Sequence, residues 1–185
     1  LRLVLSHHFT FFINSLAHIW GSQPYTDKNT ARDNPVLALV TYGEGYHNYH
    51  HIFESDYRNG VRWYHFDPSK WFIKACSFIG LTKNLRTVPF AKIQAAKWQM
   101  QKLRTTSKIM KLPNRQEVLD TLEHEYEQLV TRLKQLMQAQ KEYLAAKRAK
   151  ASKVTVKELQ AQYQQLKQQL SQQHKLWQRT LVQVA

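Results

Sequence analysis

Cysteine is nearly absent, with Cys76 alone in 185 residues. This excludes an internal disulfide framework and agrees with a reducing, cytoplasmic setting for whatever part of the chain lies in water. Acidic residues are scarce too: 13, against 27 Lys and Arg, leave a formal charge of +14. The imbalance is local. Residues 1–82 hold 7 basic and 6 acidic side chains, so nearly all the excess lies from Lys83 onward. No RNP-like aromatic strand, zinc finger or helix-turn-helix signal accompanies it, which argues against a nucleic-acid partner. A basic segment beside a membrane accounts for the charge instead, at about 1 kcal/mol per Lys or Arg near anionic headgroups. Also missing is an uninterrupted apolar run of the roughly 20 residues that cross a bilayer. Leu1 to Trp20 comes nearest, but Arg2, His7, His8, Asn14 and His18 interrupt it. Ionisable groups at mid-membrane cost about 2.5–3.5 kcal/mol each, so polar residues there point to a site. There is no initiator Met either; the chain starts inside the apolar run and reads as a piece of a longer protein.

What the chain does have is histidine in a tight pattern. GEGYHNYHH, Gly43 to His51, places His47, His50 and His51 within five positions. On a helix these three imidazoles share a face while Asn48 and Tyr49 point elsewhere. Neutral imidazoles bind iron, zinc or copper, and three from one segment exceed what a closed tetrahedral site usually takes, so a two-metal centre with ligands from elsewhere fits better. Asn14 and His18, four apart in NSLAH, also share a helical face. Glu44, between Gly43 and Gly45, reads either as an acceptor orienting an imidazole N–H or as a solvated carboxylate. His7, His8 and His65 fall outside the spacing and suit packed or surface roles.

The rest of the chain predicts helices. Gly21 to Pro35 is an exposed loop ending in Asn34 as cap and Pro35 in the first turn of a run over 36–42. Lys70 to Thr82 has apolar residues at helical spacing with Lys70 and Lys74 on one side; it is too short to span a membrane and suits the interface. A Lys-rich helix over 91–111 stops at Pro113. Beyond it, Leu119, Leu122, Tyr126, Leu129, Leu133, Leu136 and Tyr143 alternate by three and four with a gap at Gln140. Val156, Leu159, Tyr163, Leu166, Leu170, Trp177 and Val184 repeat the spacing, with Gln173 and Thr180 in weaker places. Asn114 with Glu117, and Thr155 with Glu158, are candidate capping boxes. The pattern predicts an antiparallel hairpin with a coiled-coil seam, able to self-associate through the same stripe.

HNYHH inside GEGYHNYHH, with NSLAH upstream and DYRNGVRWYHFDPSKW downstream, closely resembles the C-terminal half of the membrane fatty acyl desaturases of the stearoyl-CoA type, from Leu1 to about Thr82. The resemblance implies an all-α fold, the end of the last transmembrane helix of a bundle and a cytosolic metal-binding cap over 1–88; the basic, Gln-rich hairpin tail over 89–185 lies outside it and rests on the apolar repeat. It implies an oxidoreductase that inserts a cis double bond, delta-9 by type, into a saturated acyl-CoA or acyl-lipid with dioxygen and two electrons. By it His18, His47, His50 and His51 are ligands of two iron ions and Asn14 reaches one through a water. Two further histidine boxes would come from an N-terminal half, without which the chain is inactive. Arg58 and Arg62 either pair with carboxylates or touch a substrate headgroup. Electrons would come from a separate ferredoxin or cytochrome b5, at the cytoplasmic face of a membrane, bacterial inner membrane rather than endoplasmic reticulum. The rivals are another histidine-box oxygenase, a hydroxylase or ketolase, and a non-catalytic, membrane-tethered coiled-coil module.

Overall fold

The computed structural model describes residues 1–113 and 115–184. Among them are eight helices and no strand beyond isolated bridges: α1 (Arg2–Asn14), α2 (Leu16–Ile19), α3 (Pro35–Val40), α4 (His47–Ile52), α5 (Pro68–Phe78), α6 (Phe90–Ile109), α7 (Arg115–Arg148) and α8 (Lys153–Gln183). The chain divides into two compact units, Leu1–Met100 and Gln101–Ala185.

The first unit is made of short helices joined by loops. The apolar run Leu1 to Trp20 forms two helices, broken at Ser15, whose hydroxyl donates back to Phe11 O at 2.7 Å. Such back-bonding competes with the helical ladder. At 13 residues α1 is about 20 Å long, and no helix among the described residues is long and apolar enough to cross a membrane.

Asn34 caps α3 as its sequence predicts, its Oδ1 accepting from Val36 N at 2.9 Å and Leu37 N at 3.1 Å, with Pro35 in the first turn. The chain then folds back over α3. Tyr42 and Gly43 take positive φ (54° and 104°), and at Gly45 a Cβ would lie 2.2 Å from Ala38 N. Gly45 is thus fixed by close approach of backbone to backbone, which lets the return strand deliver α4. In α5, Asp67 caps and Pro68 opens the helix. Of the two lysines four apart in α5, Lys70 is buried and Lys74 exposed.

The second unit follows the periodic pattern. α7 and α8 run antiparallel side by side, with Tyr143 stacked on Tyr163 (centroids 6.4 Å apart, planes 6°) near one end and Tyr126 against Trp177 (6.0 Å) toward the other. Arg132 donates to Gln169 Oε1 at 3.3 Å and Gln173 to Glu125 Oε2 at 2.6 Å between them. Leu122, Leu129 and Leu133 are buried. The gap at Gln140 is filled by Ala139, which is buried and bridges Leu136 to Tyr143 by steps of three and four, so that two steps of three fall in succession from Leu133. The supposed weak place Gln173 is also buried. Ser152, not Thr155, caps α8: its Oγ accepts from Thr155 N at 3.1 Å, so Thr155 lies inside the first turn. The other candidate capping residue, Asn114, lies outside the described residues.

Candidate metal centre

The site is assembled from two stretches 29 residues apart, α2 and α4. His18 lies in α2 and His47 opens α4. The intervening loop is laid back along both. Arg32 N donates to Ala17 O at 2.7 Å, and Asp33 bridges to Ser22 and to Tyr46. The fully buried Asn48 staples the loop to α4: its Oδ1 accepts from Tyr25 N (3.0 Å) and Thr26 N (3.4 Å), and its Nδ2 donates to Thr26 O and Ala31 O, both at 2.9 Å. Tyr49, also fully buried, donates to Asp56 Oδ2 at 2.7 Å. The two residues between the box histidines thus anchor the helix from its other side.

Three imidazoles converge. Nε2 of His47 lies 3.1 Å from Nε2 of His18 and 3.1 Å from Nε2 of His51. The ring centroids are 4.9, 4.5 and 5.8 Å apart, and the rings meet edge to face. One imidazole nitrogen carries either a proton or a lone pair, so His47 Nε2 cannot make a linear hydrogen bond to both neighbours. A cation answers the geometry better. Two nitrogens about 2.1 Å from one metal lie about 3.0–3.4 Å apart for ligand angles between 90° and tetrahedral. The nitrogens of His18, His47 and His51 that offer themselves as ligands all lie within 4.8 Å of one another.

Electrostatics favour the neutral, ligating form. Burial, then the neighbouring His51, His18 and His50, pushes His47 down to about 4. His51 is lowered by burial and by His50 and His18, against an opposing pull from Glu54. The buried Nδ1 of His47 has no hydrogen-bond partner, a cost of about 1–3 kcal/mol unless something else binds there. The donor set and its spacing fit a transition metal bound by nitrogen.

The remaining candidates stand apart from this trio. His50 lies with its ring nearly parallel to His47 (14°) at 6.2 Å. Asn14 ends α1, exposed. Glu44 Oε1 accepts from Asn59 Nδ2 at 3.2 Å. The outer partner that does meet an imidazole is Thr30, whose Oγ1 lies 2.8 Å from His18 Nδ1. Nothing in the sequence pattern singles it out, since the loop must fold back before the two residues meet. Arg58 forms a two-point pair with Asp56, Nε to Oδ1 at 2.9 Å and Nη2 to Oδ2 at 2.7 Å. Burial alone would raise Asp56, but Arg58, Val88 N–H and the Tyr49 hydroxyl more than offset it and hold the carboxyl below its usual range. Arg62 is exposed and bonds Tyr64 Oη at 2.6 Å.

A second frame supports the box from the side of its first residue. Asp67 accepts from Asn59 N and Gly60 N, both at 2.9 Å, while the Lys70 ammonium donates to Gly60 O, Arg62 O and His65 O at 2.7, 3.0 and 3.2 Å. The loop so held stacks His65 on Tyr46 (4.7 Å, 13°), the residue before His47.

Residues 1–82 match the family model described as Fatty acid desaturase. The chain is similar to the "Probable acyl-CoA desaturase" of Schizosaccharomyces pombe, 59% identical over 93 residues, covering 50% of this chain and 19% of that protein. It is 43% identical over 112 residues to "Acyl-CoA desaturase 1" of Saccharomyces cerevisiae, covering 60% of this chain and 22% of that protein. Against "Stearoyl-CoA desaturase 5" of Homo sapiens it is 37% identical over 97 residues, covering 52% of this chain and 29% of that protein. The chain thus spans less than a third of the length of each of these relatives.

Proposed function

We propose, from the match of residues 1–82 to the fatty acid desaturase model, that this chain contributes the HNYHH segment of an oxidoreductase that introduces a cis double bond, delta-9 by type, into a saturated acyl chain carried as acyl-CoA or acyl-lipid. The observation that carries the reading is the convergence of His18, His47 and His51, drawn from two separate stretches inside that segment. His18, His47 and His51 would hold one iron, and His50, with Asn14 through a water, would turn toward a second whose other ligands lie outside this chain. Iron, when bound, supplies the activation of dioxygen and the removal of hydrogen from an unactivated methylene.

The residues of the chain itself position that chemistry. Burial and the neighbouring imidazoles hold His47 down to about 4, so it is unprotonated and able to ligate at neutral pH, and the same causes lower His51. Asn48 and the Tyr49–Asp56–Arg58 cluster fix the pitch of α4, so Arg58 acts as a structural partner, and exposed Arg62 is the remaining candidate for an acidic headgroup. We place the enzyme in a membrane with this cap on the cytoplasmic side and residues 1–88 as the functional segment; the electron donor is a separate ferredoxin or cytochrome b5. The relatives come from yeasts, plants and animals, which removes support for a bacterial membrane. Residues 89–185 we read as a coiled-coil hairpin that can self-associate, with no chemistry of its own.

The test is reconstitution. Co-expression of this chain with a segment carrying the remaining histidines, in a desaturase-deficient host, should restore cis-monounsaturated acyl chains and bound iron together. Hydroxylated product from the same pair would move the chain to the hydroxylases, and full product from the partner segment alone would refute the assignment.

A further inference from the structure

Of the residues around the trio, one has no part in the reading above. We infer that Thr30 is a positioning residue that fixes the tautomer and rotation of His18 for metal binding, an inference that rests on the trio being a metal site. His18 presents Nε2 to His47 at 3.1 Å and Nδ1 to Thr30 Oγ1 at 2.8 Å. A ligating Nε2 must offer its lone pair, so in the neutral ring the proton sits on Nδ1 and donates to the threonine oxygen. Metal-bound histidines are characteristically held by such an acceptor on the far nitrogen.

Thr30 is itself placed by the fold. Ala31 N donates to Asn29 Oδ1 at 3.1 Å, Gln23 Nε2 to Asn29 O at 2.5 Å, and Ala31 O receives Asn48 Nδ2 at 2.9 Å. With Arg32 N bonded to Ala17 O, the loop is tied both to α2, which carries His18, and to α4, which carries His47 and His51. One short loop therefore couples the orientation of His18 to the position of its two co-ligands. A carboxylate is the commoner outer partner of an imidazole; the hydroxyl leaves the site without an added negative charge.

Thr30→Val keeps the shape and removes the acceptor, and Thr30→Ser keeps the acceptor. The probe is Co2+ titrated into the metal-free full chain in detergent, read by its visible absorption and by competition with a chelator. Because Thr30 is exposed, water replaces part of the bond, and the expected loss in Thr30→Val is at the low end of the usual 10–100-fold, about 10-fold, with a shifted cobalt band. Thr30→Ser should match the parent within about twofold. Nitrogen NMR of metal-free protein should find His18 as the Nδ1–H form in the parent and moved toward Nε2–H in Thr30→Val. An unchanged affinity, band and tautomer in Thr30→Val, or a Ser variant as weak as the Val variant, overturns the role of Thr30. A parent chain that takes up no cobalt overturns the metal reading beneath it.

Discussion

The two units of this chain are built by opposite means. In the second, one pattern recurs: apolar side chains every three or four residues along α7 and α8 are buried or half-buried, and the buried Gln173 finds a partner across the pair. In the first, the buried apolar side chains, Tyr25, Tyr49 and Ile93 among them, follow no period, and order comes also from polar side chains that each satisfy several backbone groups: Asn34, Asn48, Asp56, Asp67 and Lys70. A periodic seam tolerates sliding and repacking. Convergent ligands do not, because a metal site requires its nitrogens placed to a few tenths of an ångström. The contrast is thus between a unit built on one repeated packing pattern and one that adds directional polar bonds to an aperiodic core.

The sharpest break is His47→Ala, which removes the nitrogen that both neighbours meet. Cobalt uptake by the chain, and iron in the reconstituted enzyme, should fall at least about 100-fold, with the melting of α7 and α8 unchanged; retained uptake would refute the assignment. Trp177→Ala is the mirror image. This fully buried side chain, whose indole donates to Gln101 Oε1 at 2.9 Å, should cost the second unit about 3–5 kcal/mol in chemical denaturation followed by circular dichroism, while cobalt affinity stays put. Asn48→Leu, similar in size, strands two N–H groups and two carbonyls. It should cost about 2–4 kcal/mol in the first unit and weaken cobalt binding as well, because the loop that carries Thr30 comes loose.

The contrast also sets how much was legible. HNYHH marks a candidate metal site because three histidines at helical spacing need no tertiary knowledge, yet only His47 and His51 meet His18, and His50 lies beside them. The i, i+3 and i, i+4 rule gives a face about one turn wide and cannot say which two of three side chains reach a common point. In the second unit the repeat made the two long helices legible, and four of its named apolar positions, Leu122, Leu129, Leu133 and Trp177, are buried; the gap at Gln140 lies beside buried Ala139, an apolar residue too small to stand out. Thr30, the Lys70 cage and the Asp67 acceptor left no mark, because each acts between segments that only the folded loops bring together. Nor does a composition count foresee that Ser15 ends α1.

Smaller effects refine the comparison. Burial pushes the Asp33 carboxyl up to about 6, opposed by the backbone N–H groups of Tyr49 and Asn48 and by Lys97. With a folded pKa above the unfolded one, near 3.8, its contribution favours the fold below about pH 3.8 and is lost as pH rises through about 6. Asp33→Asn retains an oxygen for Tyr49 N–H and should raise the melting temperature at pH 7 by about 2–4 °C, for about 1 kcal/mol, with the gain vanishing near pH 4. A gain that did not vary with pH would contradict this origin. Least of all, Ser152→Ala should cost about 1 kcal/mol, read as fraying at the start of α8 by hydrogen exchange, with nothing felt at the trio.

Lys70 gives the first unit a cation that no chelator can remove. Its ammonium sits among three carbonyl oxygens of the 60–65 turn, the ligand environment of an alkali ion, but the ion is tethered to the chain by four methylenes. Stripping the imidazoles of metal should therefore leave the turn closed and His65 still lying on Tyr46. The residue before His47 is then already held, and loading the site asks only His18, His47 and His51 to settle around the incoming ion.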